Sequence, residues 1–262
     1  MELELSYLRS SNYIRSRAPR QSSSTIQRQS ILMQINDFPF KAVLWDMDGT
    51  LIDSEPIWIG EERRIMESLG ATWSKEDALY CIGGPMSRVD AYMRSKLPEN
   101  RREEFGEYDL TRILLNSMVE RFKTDVPFSP GAKELIDQMY EAAIPMALVT
   151  ASSRAIMQGA LKSIGTHYFK TTISDADVER SKPDPQGYQL AASTIGVPIQ
   201  DCLVIEDSIT GSTAAIASRA YLLGITHSGP LPSAEKVCHV ENLIALELSG
   251  IVELFQPLLV KN

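Results

Sequence analysis

The sequence predicts an α/β protein: a doubly wound parallel sheet interrupted, after its first strand, by an all-helical insertion. Three observations lead there. Beyond Pro130, short apolar runs alternate with amphipathic stretches of about 10–15 residues, the pattern of strands and crossover helices. The run Cys202-Leu203-Val204-Ile205 is apolar without interruption, as a strand covered on both faces requires. Between Pro56 and Lys123 apolar residues recur at helical spacing, with no strand-like run. The 262 residues, 44% of them apolar, suffice for one large unit or two smaller ones.

Taken in order, Ala42-Val43-Leu44-Trp45 reads as the first strand, opening into the turn-forming Asp46-Met47-Asp48-Gly49-Thr50. Trp58, Ile65, Met66 and Leu69 lie on one helical face, and Gly70 ends that helix. Ser74 is placed to cap a second short helix, and Ser87–Lys96 forms a third, ended by Pro98. A longer helix is predicted from Arg101 to Lys123, with Leu115, Met118, Val119 and Phe122 on one face. Pro127-Phe128-Ser129-Pro130-Gly131 is a stiff turn. The alternation then runs as helix Ala132–Ala143, strand Pro145–Val149, helix Ser153–Ile164 and a strand near Thr171–Ser174. Helix Gln186–Ile195, strand Cys202–Ile205, helix Ser208–Ser218, strand Tyr221–Ile225 and a last helix near Leu248–Leu259 follow. The predicted organisation is an α/β core at 38–54 and 128–262 around a helical cap at 55–127.

Residues 1–37 differ from the rest. Residues 1–36 hold five Arg, no Lys, two Glu and eight Ser, so they carry +3 and leave −11 for the remainder. Such a composition predicts an extension without stable order. A targeting peptide is the less favoured reading, because Glu2 and Glu4 stand at the start and no apolar stretch with a small-residue cleavage site follows. The overall charge of −8 argues against a non-specific nucleic-acid binder, which needs surplus positive charge. No run approaches the roughly 18 apolar residues of a membrane helix. Three scattered cysteines indicate neither a disulfide framework nor a zinc site. The expectation is a soluble, cytoplasmic protein with no nucleic-acid or membrane partner, monomeric or weakly dimeric.

In an open parallel sheet, ligands bind outside the carboxyl ends of the strands. The polar residues expected there are Asp46 and Asp48, Thr150-Ala151-Ser152, Lys182, and Glu206-Asp207. Four carboxylates repel one another unless a cation lies among them, and hard oxygen ligands with room for phosphate and water suit Mg²⁺. A carboxylate beside such an ion and a lysine is placed to attack phosphorus, which makes Asp46 the candidate nucleophile, forming an aspartyl-phosphate. Asp48 is the candidate general acid and base. Gly49 lets the backbone turn sharply toward phosphate oxygens, while the Thr150 hydroxyl, Ala151 N–H and Lys182 ammonium would hold those oxygens during transfer.

The segments Asp46-Met-Asp-Gly-Thr-Leu-Ile-Asp53, Leu148-Val-Thr-Ala-Ser152, Lys182-Pro-Asp-Pro185 and Val204-Ile-Glu-Asp-Ser208 resemble the four motifs of the haloacid dehalogenase superfamily, in order and spacing, across about residues 40–226. Within it the chain is similar to the β-phosphoglucomutase-like phosphatases, whose helical cap lies between the first two motifs. The resemblance implies a Rossmann-like core and a Mg²⁺-dependent phosphotransferase, with Asp46, the Asp48 carbonyl and Asp207 as metal ligands and Glu206 as an additional or water-mediated one. Ser152 falls within the phosphate-binding motif. Dehalogenases of the superfamily lack the second aspartate, so Asp48 favours P–O chemistry. In the mutases a histidine stands twelve residues after the nucleophile, where this chain has Trp58, which tilts the expectation to hydrolysis. Ser181 and Arg219 stand where relatives usually have Gly.

The expected activity is hydrolysis of a small phosphorylated metabolite. A hexose phosphomutase is the alternative, and a non-catalytic phosphoacceptor module is less favoured because such modules are about half this length and lack a cap. The cap is expected to open and close through Ser54-Glu55-Pro56 and Pro127–Pro130. Its Gly-rich break Cys81–Met86, with Gly84, is a candidate specificity loop. Trp58 and Arg88 are further candidates for substrate contact. His167, His227 and His239 show no ligand spacing and are expected to do nothing catalytic.

Overall fold

The structure, a computed structural model, describes residues 38–81, 86–124 and 126–260. The expectations for the first 37 residues and for Gly84 fall outside the described residues. The described chain forms a six-stranded, wholly parallel sheet of β1 (Ala42–Trp45), β2 (Met146–Val149), β3 (Thr171–Ile173), β4 (Cys202–Glu206), β5 (Tyr221–Ile225) and β6 (Val237–Val240). The strand order is β3-β2-β1-β4-β5-β6, that of a doubly wound fold whose switch point lies between β1 and β4. Val43 pairs with Met146 on one side and Leu203 on the other, so the three central strands end level.

The helices are α1 (Glu55–Ser68), α2 (Lys75–Cys81), α3 (Met86–Lys96), α4 (Asp109–Phe122), α5 (Ala132–Glu141), α6 (Arg154–Ile164), α7 (Gln186–Ile195), α8 (Ile209–Ser218) and α9 (Leu248–Leu259). Because side chains alternate along a strand, each central strand feeds two cores. Val43, Trp45, Leu148, Leu203 and Ile205 face α5, α6 and α9 through Leu135, Ile156 and Phe255. Ala42, Leu44, Ala147 and Val204 face α7 and α8 through Tyr188, Ala191 and Ala215. The first of these cores continues into α1–α4 through Ile65, Met66, Met93 and Leu114. The chain passes to and from these four helices side by side. Ile52 bridges Phe128 antiparallel, the Asp53 N–H donates to Pro127 C=O at 3.0 Å, and the Ser129 N–H donates to Leu51 C=O at 3.0 Å.

Two expectations need correcting. The long helix expected from Arg101 is broken: Glu99–Glu104 is a short 3₁₀ turn and α4 begins only at Asp109. The break is stabilised locally, since the Asp109 carboxylate reaches back to accept from the Gly106 N–H at 2.7 Å, and Tyr108 takes a left-handed φ of 66°. The sixth strand, Val237–Val240, went unread because it is an edge strand, only half-buried and flanked by Lys236 and Glu241, without the unbroken apolar run of its neighbours. Arg219 ends α8 with φ 71°, the left-handed turn usually left to glycine, so the chain enters β5 without a glycine there. No helix among the described residues is long and apolar enough to cross a membrane.

Candidate active site

The site is built at the carboxyl ends of β1, β2 and β4, beside the switch point. The Asp46 N–H donates to Ile205 C=O at 3.1 Å, extending the β1–β4 pairing by one residue and so seating Asp46 at the strand's end. The chain then turns back on itself at Gly49 (φ 83°), whose N–H donates to Ile52 C=O at 2.8 Å. Only glycine suits that place, for the sign of φ and because a Cβ would run into the Asp207 carboxylate. Thr50 folds inward, and its buried hydroxyl donates to Asp207 Oδ1 at 2.8 Å.

The carboxylates of Asp46, Glu206 and Asp207 present oxygens within 4.8 Å of one another, all three residues being buried. Lys182, delivered by the loop before α7, spends its ammonium on three acceptors: Asp46 Oδ1 at 2.5 Å, Glu206 Oε1 at 2.9 Å and Val149 C=O at 3.0 Å. Burial works against that ammonium, but the charges of Asp46 and Glu206 together outweigh it and hold its pKa well above the ordinary value. Burial, then the neighbouring Glu206 charge, pushes the Asp46 carboxyl well up despite Lys182. The same two causes raise Asp207 to about 6. Three buried acids against one ammonium leave an excess of negative charge, which is what a bound cation would relieve.

Glu206 is the most fully engaged of the three. Oε1 accepts from Lys182 and from the Tyr188 hydroxyl at 3.2 Å; Oε2 accepts from the Ser208 N–H at 2.8 Å and the Ser208 hydroxyl at 2.9 Å. Ser208 in turn caps α8 by accepting from the Gly211 N–H at 2.9 Å. A Cβ on Gly211 would overlap the Glu206 carboxylate, so the first turn of α8 closes directly over it.

Asp48 stands at the rim, half-buried, with its two oxygens in unlike surroundings. Oδ2 accepts from the Ser152 hydroxyl at 2.7 Å and the Thr150 hydroxyl at 3.2 Å. Oδ1 has no hydrogen-bond partner among the described residues. Thr150 also accepts from the Ser152 N–H at 2.9 Å, which ties the loop after β2 into a compact turn with Ala151 exposed at its tip. Thr150 and Ser152 thus meet Asp48 through their hydroxyls. The cap of α6 is Ser153, which accepts from the Ile156 N–H at 3.4 Å.

Asp48, Gly49 and Asp207 form the floor of a cavity of about 600 Å³ whose opposite wall comes from α1, α3 and α4, including Trp58, Glu62, Val89 and Leu114. Trp58 is therefore brought to the site. Arg88 is not: it is exposed, its guanidinium donates to Tyr80 C=O at 3.0 Å and lies 5.2 Å over the Tyr80 ring, and it does not line the cavity. Its α3 neighbour Val89 takes the inward position instead.

Thr50, Tyr188 and Glu62 join the site without having been singled out as candidates from the sequence, and His227, expected there to do nothing catalytic, lies beside it. Tyr188 lies on the buried face of α7. His227, at the end of β5, brings Nε2 to 3.7 Å from Asp207 Oδ2, although its spacing to the motif residues carries no signal.

The chain that gathers three buried acids and a buried ammonium at one switch point is similar to known proteins in sequence and in fold. The model of the haloacid dehalogenase-like hydrolases matches residues 43–225. Hexitol phosphatase B of Escherichia coli (strain K12) is 30% identical over 217 residues, 81% of this chain and 93% of its own length. Hexitol phosphatase A of the same organism is 26% identical over 226 residues, 83% of this chain and 95% of its own. In fold, a β-phosphoglucomutase from Clostridium difficile superposes with a TM-score of 0.64 at 21% identity, covering 84% of this chain and 99% of that one. The chain belongs to the haloacid dehalogenase-like hydrolases. Phosphatases of this family generally use a divalent metal, and the buried acidic cluster is of the kind that binds one.

Proposed function

We propose that this protein is a Mg²⁺-dependent phosphatase that hydrolyses a small phosphorylated metabolite through an aspartyl-phosphate on Asp46, with Asp48 as general acid and base. The observation that carries it is the pair of aspartates in unlike settings. Asp46 is buried against Lys182 at 2.5 Å, while Asp48, at the cavity floor, has one oxygen held by two hydroxyls and the other buried without a partner. An Asp46 oxygen attacks phosphorus as the bond to the leaving oxygen breaks, and Asp48 gives that oxygen its proton. Asp48 then takes a proton from water, whose oxygen attacks the same phosphorus; the bond to Asp46 breaks and phosphate leaves. Lys182 keeps Asp46 oriented and sets a positive charge beside the transferring group.

The donor set fits Mg²⁺, hard carboxylate oxygens few in number. Asp46, Asp207 and the Asp48 carbonyl would hold it; Glu206, with both oxygens already accepting, would stand behind them. When bound, the ion neutralises the excess acid charge and draws electron density from the phosphoryl oxygens.

Names of the relatives support a sugar- or polyol-phosphate substrate, and Trp58 supports hydrolysis over phosphomutase chemistry. We assign 38–54 and 128–262 to an α/β core and 55–127 to a cap over the site. The paired connections at Leu51–Asp53 and Pro127–Ser129 support a hinge between them. The net charge of −8 supports a small-molecule partner rather than nucleic acid, and we expect a monomer or weak dimer.

The test is phosphate release from p-nitrophenyl phosphate. Purified protein with Mg²⁺ should turn over, EDTA should stop it, and Asp46→Asn should remove turnover altogether. An Asp46→Asn variant as active as the parent would overturn the nucleophile assignment.

A further inference from the structure

From α1 two side chains one helical turn apart, Trp58 and Glu62, enter the cavity that has Asp48 in its floor. Around Glu62 the wall is apolar, with Ile59, Val89 and Leu114 lining the same space. The residue is only 6% exposed, and its Oε2 meets no hydrogen-bond donor among the described residues. The Trp73 indole N–H is near enough to favour the ionised carboxyl, yet that nitrogen makes no hydrogen bond of ordinary geometry either. A buried acid left in this state destabilises the empty protein, and a leucine of similar bulk would not. Oε2 is itself closed to solvent, so a partner arriving in the cavity meets this carboxyl through a small turn of the side chain, and would then offset that cost.

We propose that Glu62 is a specificity-determining residue that hydrogen-bonds a hydroxyl of the leaving group, selecting phosphomonoesters of polyhydroxylated molecules over their deoxygenated counterparts. This rests on the phosphatase reading above. The phosphoryl group belongs at Asp46 and Lys182, so the leaving group extends past Asp48 into the cavity, toward the wall that holds Glu62. A space of about 600 Å³ admits a six-carbon chain. Burial raises the Glu62 carboxyl to about 7, so both forms are populated near neutrality. A hydroxyl satisfies either form, donating to the carboxylate or accepting from the acid. An ammonium would demand the ionised form alone. A site built to hydrogen-bond a hydroxyl discriminates strongly against a ligand without one, because its own polar group is then left unpaired.

The experiment compares kcat/KM for sorbitol 6-phosphate, n-hexyl phosphate, 6-aminohexyl phosphate and p-nitrophenyl phosphate in the parent protein, Glu62→Leu and Glu62→Gln. The parent should prefer sorbitol 6-phosphate to n-hexyl phosphate by about 100-fold or more. Glu62→Leu should bring the two within about threefold, by losing sorbitol 6-phosphate while keeping n-hexyl and p-nitrophenyl phosphate. Glu62→Gln, which still offers a hydrogen-bonding group, should retain part of the preference. The melting temperature of the unliganded Leu variant should equal or exceed that of the parent. The proposal is overturned by a parent with no preference, by a preference that survives in Glu62→Leu, or by favoured turnover of the 6-aminohexyl ester. Loss on all four esters together with a lowered melting temperature would mark Glu62 as structural and overturn it too. A parent inert toward every ester, with Mg²⁺ present, is a different result and brings down the phosphatase reading itself.

Discussion

Asp48 and Ser152 are 104 residues apart in the chain and joined by a 2.7 Å hydrogen bond, whereas Ser153, next door, caps α6. Two adjacent serines therefore do unrelated work, and substitution should separate them. Ser153→Ala should cost about 1 kcal/mol of stability, the usual price of a lost cap, with phosphate release unchanged. Ser152→Ala should leave the melting temperature nearly unmoved and slow turnover, by freeing the Asp48 carboxyl to rotate. Asp48→Asn should still allow a phosphoenzyme to form from p-nitrophenyl phosphate, whose leaving group needs little protonation, but slow its hydrolysis by about 10²–10⁴, as rapid-quench measurement of the acyl-phosphate would show. Glu62 adds a pH signature. Its carboxyl ionises near 4.5 when unfolded and near 7 in the folded chain, so between those values the folded state holds the extra proton and stability falls as pH rises. The groups bearing on this region are Trp73, Cys81, Asp77 and Arg88. Thermal melts should show Glu62→Leu gaining on the parent from pH 5 to pH 8; parallel curves would contradict the burial argument.

At the scale of elements, the first turn of α8 is the part most tightly bound to the chemistry. Ser208 caps it while also holding Glu206, Glu206 holds Lys182, and Lys182 holds Asp46. Gly211→Ala tests this linkage. Alanine favours a helix by about 1 kcal/mol over glycine, but here its Cβ would overlap the Glu206 carboxylate, and overpacking of that kind costs about 1–3 kcal/mol. The clash should win: both the melting temperature and kcat should fall, against the stabilisation expected were α8 remote from the site. Tyr188 contributes from α7, with its hydroxyl on Glu206 and its ring 4.9 Å beneath the Lys182 ammonium, so two helices from one face of the sheet hold the acid and the amine together.

For the whole molecule, the doubly wound topology explains why the charged groups can be buried at all. β1 lies between β2 and β4, so the three strand ends that carry Asp46, Thr150 and Glu206 are neighbours even though the helical insertion separates the first from the others. The mutual repulsion of the Asp46, Glu206 and Asp207 carboxylates opposes folding, and a cation held only by the folded state would stabilise it by mass action. Millimolar Mg²⁺ should therefore raise the melting temperature of the parent, and Asp207→Asn should reduce that increment.

Strand and helix placement, and the eight motif positions from Asp46 to Asp207, were legible in the sequence because they rest on local patterns: unbroken apolar runs, helical spacing and polar turns at strand ends. The exceptions follow the same rule. An edge strand of mixed polarity has no such pattern, and the break before α4 depends on one carboxylate reaching back to Gly106. Tertiary structure alone decided that Ser152 serves Asp48 while Ser153 serves a helix, that Tyr188 supports Glu206, that Arg88 turns to Tyr80 and that Glu62 is sealed in the cavity wall. Each of those outcomes depends on which distant groups arrive within hydrogen-bonding reach and on how much water they exclude, quantities that no stretch of sequence carries until the chain has closed around it.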